Sequence, residues 1–149
     1  MQISSRFTIA IQLLTCIEVY KSDSQVNSEF ISYSVGTNPV IIRKIFGQLK
    51  AAGIINVQRG GNGGVSLAVP ADKITLYDIY RAVDSVEAEG LFRFHERPSA
   101  KCAVGRNMHS VMDGRLKMIQ GTLEKEMSSM LLSDVIIDMR YIIENEQEK

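Results

Sequence analysis

Apolar positions recur at helical spacing from the start of the chain. Phe7, Ala10, Ile11, Leu14 and Ile17 fall three or four residues apart, behind two residues that cap helices well, Ser4 and Ser5. The spacing predicts a helix from about Ser5 to Lys21, broken by Ser22-Asp23-Ser24. A short helix is expected from Ser28 to Ser34, with Phe30 and Ile31 inward and Gly36 supplying the turn after it. Thr37 or Asn38 can cap the next helix, residues 37–52, and Pro39 suits its first turn, where a missing N–H costs nothing. Ile42, Ile45, Phe46 and Leu49 form the apolar stripe of that helix; Arg43, Lys44, Gln48 and Lys50 lie off it, and Gly53 stops it.

The period then shortens. Ile54 to Val57 and Val65 to Val69 read as two strands around Gln58-Arg59-Gly60-Gly61-Asn62-Gly63-Gly64, a hairpin with a glycine-dense tip. After Pro70, a helix with Ile79, Ala82 and Val83 on one face is expected. Residues 85–110 are the least regular, and Gly90, Pro98 and Gly105 interrupt them. A long helix is predicted from near Ser110. Its seam is Met112, Leu116, Ile119, Leu123, Met127 and Met130, close to a heptad. The seam can pack on the chain's own core or across a twofold axis on a second copy; the chain offers little core for so long a helix, which favours the dimer. Val135 to Ile143 either folds back or continues that helix.

Helix, short helix, tight turn, helix and hairpin is the order of a winged helix-turn-helix. The fold class is therefore mainly α with a small β-hairpin. Residues 1–84 would form the DNA-binding unit, and residues 85–149 a regulatory loop and a dimerisation helix. The major groove of B-DNA admits one α-helix, which enters with its N-terminal residues toward the base edges. Here those residues are Thr37, Asn38, Val40, Ile41, Arg43 and Lys44. The two cations can reach base edges or phosphates, and Val40 or Ile41, where exposed, can meet a thymine methyl. In the hairpin, Gly60, Asn62 and Gly63 leave a tip with little side-chain bulk, so backbone can approach DNA closely beside Arg59. A guanidinium there suits the narrow, negative minor groove. The competing reading is a plain surface loop with a solvated arginine.

Charge sharpens this picture only slightly. The 149 residues have a formal net charge of zero, which argues against an indiscriminate polyanion binder. Residues 1–74 hold seven basic and four acidic groups, a net +3, and the remainder a net −3. The sign fits one nucleic-acid face, and equally fits ordinary scatter. No apolar run spans a membrane and no secretory signal opens the chain, so a cytoplasmic location is expected.

Catalytic patterns are lacking. The glycines at 60–64 lie between strands rather than opening a helix, and no Lys-Ser/Thr follows them, so this is not a nucleotide-binding loop. No Ser/His/Asp arrangement is evident from spacing, and an enzyme is not expected. The two cysteines, Cys16 and Cys102, make no disulfide framework. Cys16 lies near the first apolar stripe and reads as a packed small hydrophobe. His95 and His109 flank Cys102 without any zinc spacing. Cys102, with Lys101 and Arg106 nearby in an expected loop, is a candidate thiol sensor against the alternative of an inert thiol.

Taken together, Ser4-Ser5-Arg6-Phe7-Thr8-Ile9-Ala10, Gly36-Thr37-Asn38-Pro39, Leu49-Lys50-Ala51-Ala52-Gly53-Ile54 and the 59–64 wing followed by Leu67-Ala68 and Pro70 resemble the Rrf-two family of bacterial transcription regulators. The resemblance covers residues 1 to about 84. It implies a homodimeric, sequence-specific regulator of double-stranded DNA; repression is the expected mode, with activation the open alternative. Helix 37–52 would lie in the major groove and Arg59 on a minor-groove wing, with a small-molecule or protein effector in control. A module acting through a metabolic enzyme partner is the alternative within the family. Two departures stand out. The wing has Gly61-Asn62 where a proline usually follows the first glycine, which should loosen the tip. Cluster-binding members carry three closely spaced cysteines before the long helix; this chain has only Cys102 there, so no iron–sulfur cluster or other cofactor is expected.

Overall fold

The computed structural model describes residues 4–23, 26–60, 63–84, 91–92 and 97–148. The expected contributions of Ser24, Gly61, Asn62, Gly90 and His95 lie outside the described residues. Helix α1 spans Ser5–Val19, α2 Ser28–Val35 and α3 Pro39–Ala51. Strands β1, Ile55–Val57, and β2, Val65–Leu67, follow, then α4, Leu76–Val83, α5, Ala103–Ser129, and α6, Leu132–Gln147. The fold is mostly helical with one two-stranded antiparallel sheet, as the pattern implied.

Local chemistry sets the ends of the elements. Ser4 Oγ accepts from the Arg6 N–H, and Asn27 Oδ1 from the Phe30 N–H, so α1 and α2 begin on satisfied donors. Gly36, at φ +73°, ends α2 in the left-handed region. Asn38 rather than Thr37 caps α3, accepting the Val40 N–H at 2.8 Å, and Pro39 opens the helix. Thr75 and Asp78 bond reciprocally at the start of α4. The strands pair Ile55 with Leu67, Asn56 with Ser66 and Val57 with Val65. They are shorter than the apolar runs predicted.

The core centres on α1. Ala10, Leu13, Leu14 and Ile17 are all but inaccessible, because α1 is packed by α2, α4, α6 and β2. Leu13 lies off the predicted stripe; a helix covered on several sides buries more than one face. Ile42, Ile45 and Leu49 of α3 and Ile79 and Val83 of α4 close the cluster. Each such side chain contributes roughly 1.5–3 kcal/mol relative to exposure.

The C-terminal third departs from expectation. Helix α5 begins at Ala103, not near Ser110. Gly105, read as a breaker, lies inside it, and glycine is required there because a Cβ would stand 2.7 Å from the Ser99 carbonyl oxygen. Chain direction reverses at Met130 and Leu131. There the Leu76 N–H donates to the Met130 carbonyl and the Leu132 N–H to the Ile74 carbonyl, both at 2.9 Å. Val135 to Ile143 therefore folds back, and Leu132 and Ile136 of α6 join the same core as α1. Arg140 donates to the Glu18 carbonyl at 3.0 Å, placing a cation at the C-terminal end of α1. The predicted seam is split: Met127 is buried in its own chain, while Ile119 and Met130 are exposed.

Candidate nucleic-acid interface

Helix α3 owes its position to its buried stripe and to the turn before it. The Ser32 hydroxyl donates to the Thr37 carbonyl, while the Gly36 and Thr37 N–H groups donate to the Ser32 carbonyl. Gln48 Nε2 donates to the Val83 carbonyl at 3.2 Å, tying the far end of α3 to α4. With Ile42, Ile45, Phe46 and Leu49 inward, the remaining face points to solvent. Val40 is 65% exposed and Ile41 42%, beside the exposed Arg43 and Lys44. Thr37 is half-buried and Asn38 is committed through its side chain to the cap.

Arg43 has a partner that spacing along the chain does not reveal. Its Nη2 donates to Glu29 Oε1 at 2.8 Å, joining α3 to the first turn of α2. The backbone N–H of Glu29, the Ser28 hydroxyl and the Arg43 guanidinium hold the Glu29 carboxyl below its usual range. Both side chains are well exposed, so the pair adds little stability, but it orients the guanidinium. Glu29 lies on no apolar period, so only its contact with Arg43 marks it. Tyr33 of α2 is 86% exposed.

The wing is built by close approach of backbone. The Gln58 N–H donates to the Gly64 carbonyl at 2.9 Å and the Gly63 N–H to the Gly60 carbonyl at 2.8 Å. Gly60 has φ +116°, and a Cβ on Gly63 would stand 2.8 Å from the Gly60 carbonyl oxygen, so both positions require glycine. Arg59 and Gly60 are exposed beside that turn.

The two cysteines stand apart in environment. Cys16 is buried in α1, its Sγ 3.4 Å from Ser34 Oγ, as expected of a packed thiol. Cys102 is exposed at the N-cap of α5 rather than in a free loop, and the Gly105 and Val104 N–H groups push its thiol pKa down.

An exposed helix after a tight turn, with a glycine-tipped hairpin on the same core, defines a winged helix-turn-helix DNA-binding transcription regulator. The chain belongs to the Rrf2 (Rrf-two) family, whose model, described as an iron-dependent transcriptional regulator, matches residues 3–138. YwnA of Bacillus subtilis (strain 168), named as an HTH-type transcriptional regulator, is 38% identical over 134 residues, which span 90% of this chain and 96% of YwnA. A crystal structure described as that of a DNA-binding protein is 32% identical with a TM-score of 0.69, covering 89% of this chain and 99% of its own. T. potens IscR, 19% identical with a TM-score of 0.67 over 93% of this chain and 88% of its own, shares the fold.

The family description raises the question of iron. The sequence has two cysteines in all, one packed inside α1 and one at the start of α5. Among the described residues no three His, Cys, Asp or Glu side chains gather as a metal site. This donor set does not fit a thiolate-held cluster. Among the described residues, too, no helix is long and apolar enough to cross a membrane.

Proposed function

We propose that this regulator is a cytoplasmic repressor that binds a specific duplex operator as a homodimer, without catalysis. The start of α3 lies in the major groove and the 58–64 wing lies at the minor groove. The observation that carries this reading is the solvent face of α3, where Val40 and Ile41 stand exposed next to Arg43 and Lys44. Cations there suit phosphates and guanine edges, and the apolar pair suits thymine methyls. Lys44 and Arg59 neutralise phosphates, and Thr37, Asn38, Gly60 and Gly63 shape the two approaching backbones. The dimer rests on a second surface: Val104, Val111 and Met118 recur every seven residues along α5 and are all exposed, with Ile119 beside Met118.

Binding to DNA from the protein's own promoter region, titrated against salt, tests the reading. Specific affinity should fall steeply with salt. Arg43→Ala should cost about 1–3 kcal/mol and relax sequence preference at one position. Arg59→Ala should weaken specific binding as well; unchanged affinity would remove the wing from the interface. Half-sites should repeat about one helical turn apart, or a multiple of it.

Cys102 supports a second level of control, since its exposed thiol and lowered pKa favour thiolate chemistry. Complete alkylation of Cys102 at neutral pH should then change operator affinity, and an unchanged affinity rejects it.

A further inference from the structure

A cavity of about 330 Å³ lies where α1 meets α6 and the last turn of α2. Ile11 of α1 and Val135, Met139 and Ile143 of α6 supply apolar walls, while Gln12, Cys16 and Ser34 supply polar groups. Those polar groups are already ordered. Gln12 Nε2 donates to the Ser34 carbonyl at 2.9 Å and lies 3.2 Å from its hydroxyl, and Cys16 Sγ lies 3.4 Å from the same hydroxyl. No residue lining the cavity carries a charged side chain. Where a ligand is covered by these walls, a charge would lose hydration with no counter-ion among them, whereas a neutral polar group would lose far less and can regain it by hydrogen bonding. The volume falls at the lower end of the range for small-molecule pockets, roughly 300–1,000 Å³.

We infer that this cavity is an effector site for a neutral, largely apolar small molecule bearing one hydrogen-bonding group. Its aliphatic part packs between α1 and α6, and its polar group meets the Gln12–Ser34 bonds. The site also has a route to the DNA face. Ser34 sits in the last turn of α2, two residues before Gly36, and the Ser32–Thr37 bond sets the turn into α3. A molecule that alters the Gln12–Ser34 contact shifts α2 against α1, and α3 moves with α2. Occupancy and operator affinity are then linked reciprocally. The exposed α5 row of Val104, Val111 and Met118 does not line the cavity, so the proposed dimer surface and the effector site are separate. The coupling rests on the DNA-binding reading above; binding at the cavity does not.

The test uses the full chain and five probes: benzyl alcohol, cyclohexanol and indole as neutral ligands, benzoate and benzylamine as charged ones. Binding is read by ligand-detected NMR without DNA, and operator affinity is measured separately without any probe. At least one neutral probe should bind saturably, ten-fold or more tighter than either charged probe. Val135→Phe, which fills the cavity, and Met139→Trp, which blocks its rim, should each weaken that binding at least ten-fold with unchanged circular dichroism. The bound probe should change operator affinity at least three-fold in the unaltered chain and not in the variants. No saturable neutral binding, equal binding of charged probes, or binding indifferent to both variants overturns the site. Conversion of either folded variant from dimer to monomer also overturns it, making the groove a subunit contact. Absence of operator binding without probe overturns the DNA-binding reading instead, and with it the coupling.

Discussion

Asp84 shows how one side chain registers its environment. It ends α4, and its Oδ2 is buried with no hydrogen-bond partner among the described residues. Burial raises its pKa; the Ser4 hydroxyl and the Arg6 guanidinium oppose that rise without cancelling it. A carboxyl with a raised folded-state pKa contributes stability that is complete below its unfolded pKa and lost as pH rises through the folded value. Asp84→Asn removes that loss. Its melting temperature should therefore gain on the unaltered chain as pH is raised from about 3 to about 7. At the wing, Gly63→Ala would force a Cβ to 2.8 Å from the Gly60 carbonyl oxygen. Operator affinity should fall while the global melting transition, set by the core, stays near its original temperature.

At the scale of elements, α3 is the piece whose placement matters most. Its cap satisfies one donor, and its buried stripe chooses which face remains for solvent, the face proposed to meet DNA. Asn38→Ala should cost about 1 kcal/mol of stability in a denaturant melt. It should weaken DNA binding further, because the start of the helix frays where it meets the groove. The Glu29–Arg43 pair acts across two elements. Glu29→Gln should leave stability nearly unchanged, since both partners are exposed, yet lower the preference for operator over random DNA. The salt slope measured for both DNAs checks that phosphate contacts are intact.

For the whole molecule, α6 is structural as well as C-terminal. Ile136→Ala should destabilise the chain by about 2–5 kcal/mol, because Ile136 sits in the same cluster as α1. Met118→Glu acts differently. Met118 is 74% exposed, so monomer packing tolerates the charge, but a twofold contact along α5 would not. Sedimentation should show a monomer that retains helicity and has lost most of its operator affinity.

Most of the fold was legible before any coordinates, for a local reason. The caps at Ser4 and Asn38, Pro39 at the start of α3, Gly36 after α2 and the stripe Ile42–Ile45–Phe46–Leu49 act through neighbours a few residues away, so period and punctuation reveal them. The same locality made Gly105 misleading, because the Ser99 backbone that explains it is reached only by folding. The face proposed to meet DNA was half legible. Arg43, Lys44, Val40, Ile41 and Arg59 follow from helix face and hairpin order, whereas Glu29 follows from no period at all. The wing's Asn62 lies outside the described residues. The sequence by itself determined the order of elements and the inward face of α3. Tertiary structure alone decided that α6 returns onto α1, that Glu29 meets Arg43, and that Gln12, Cys16 and Ser34 share one cavity wall. Those contacts join residues 14 to more than 100 positions apart, as with Arg43–Glu29 and Arg140–Glu18, and no one-dimensional pattern encodes a distance closed only by burying a common core.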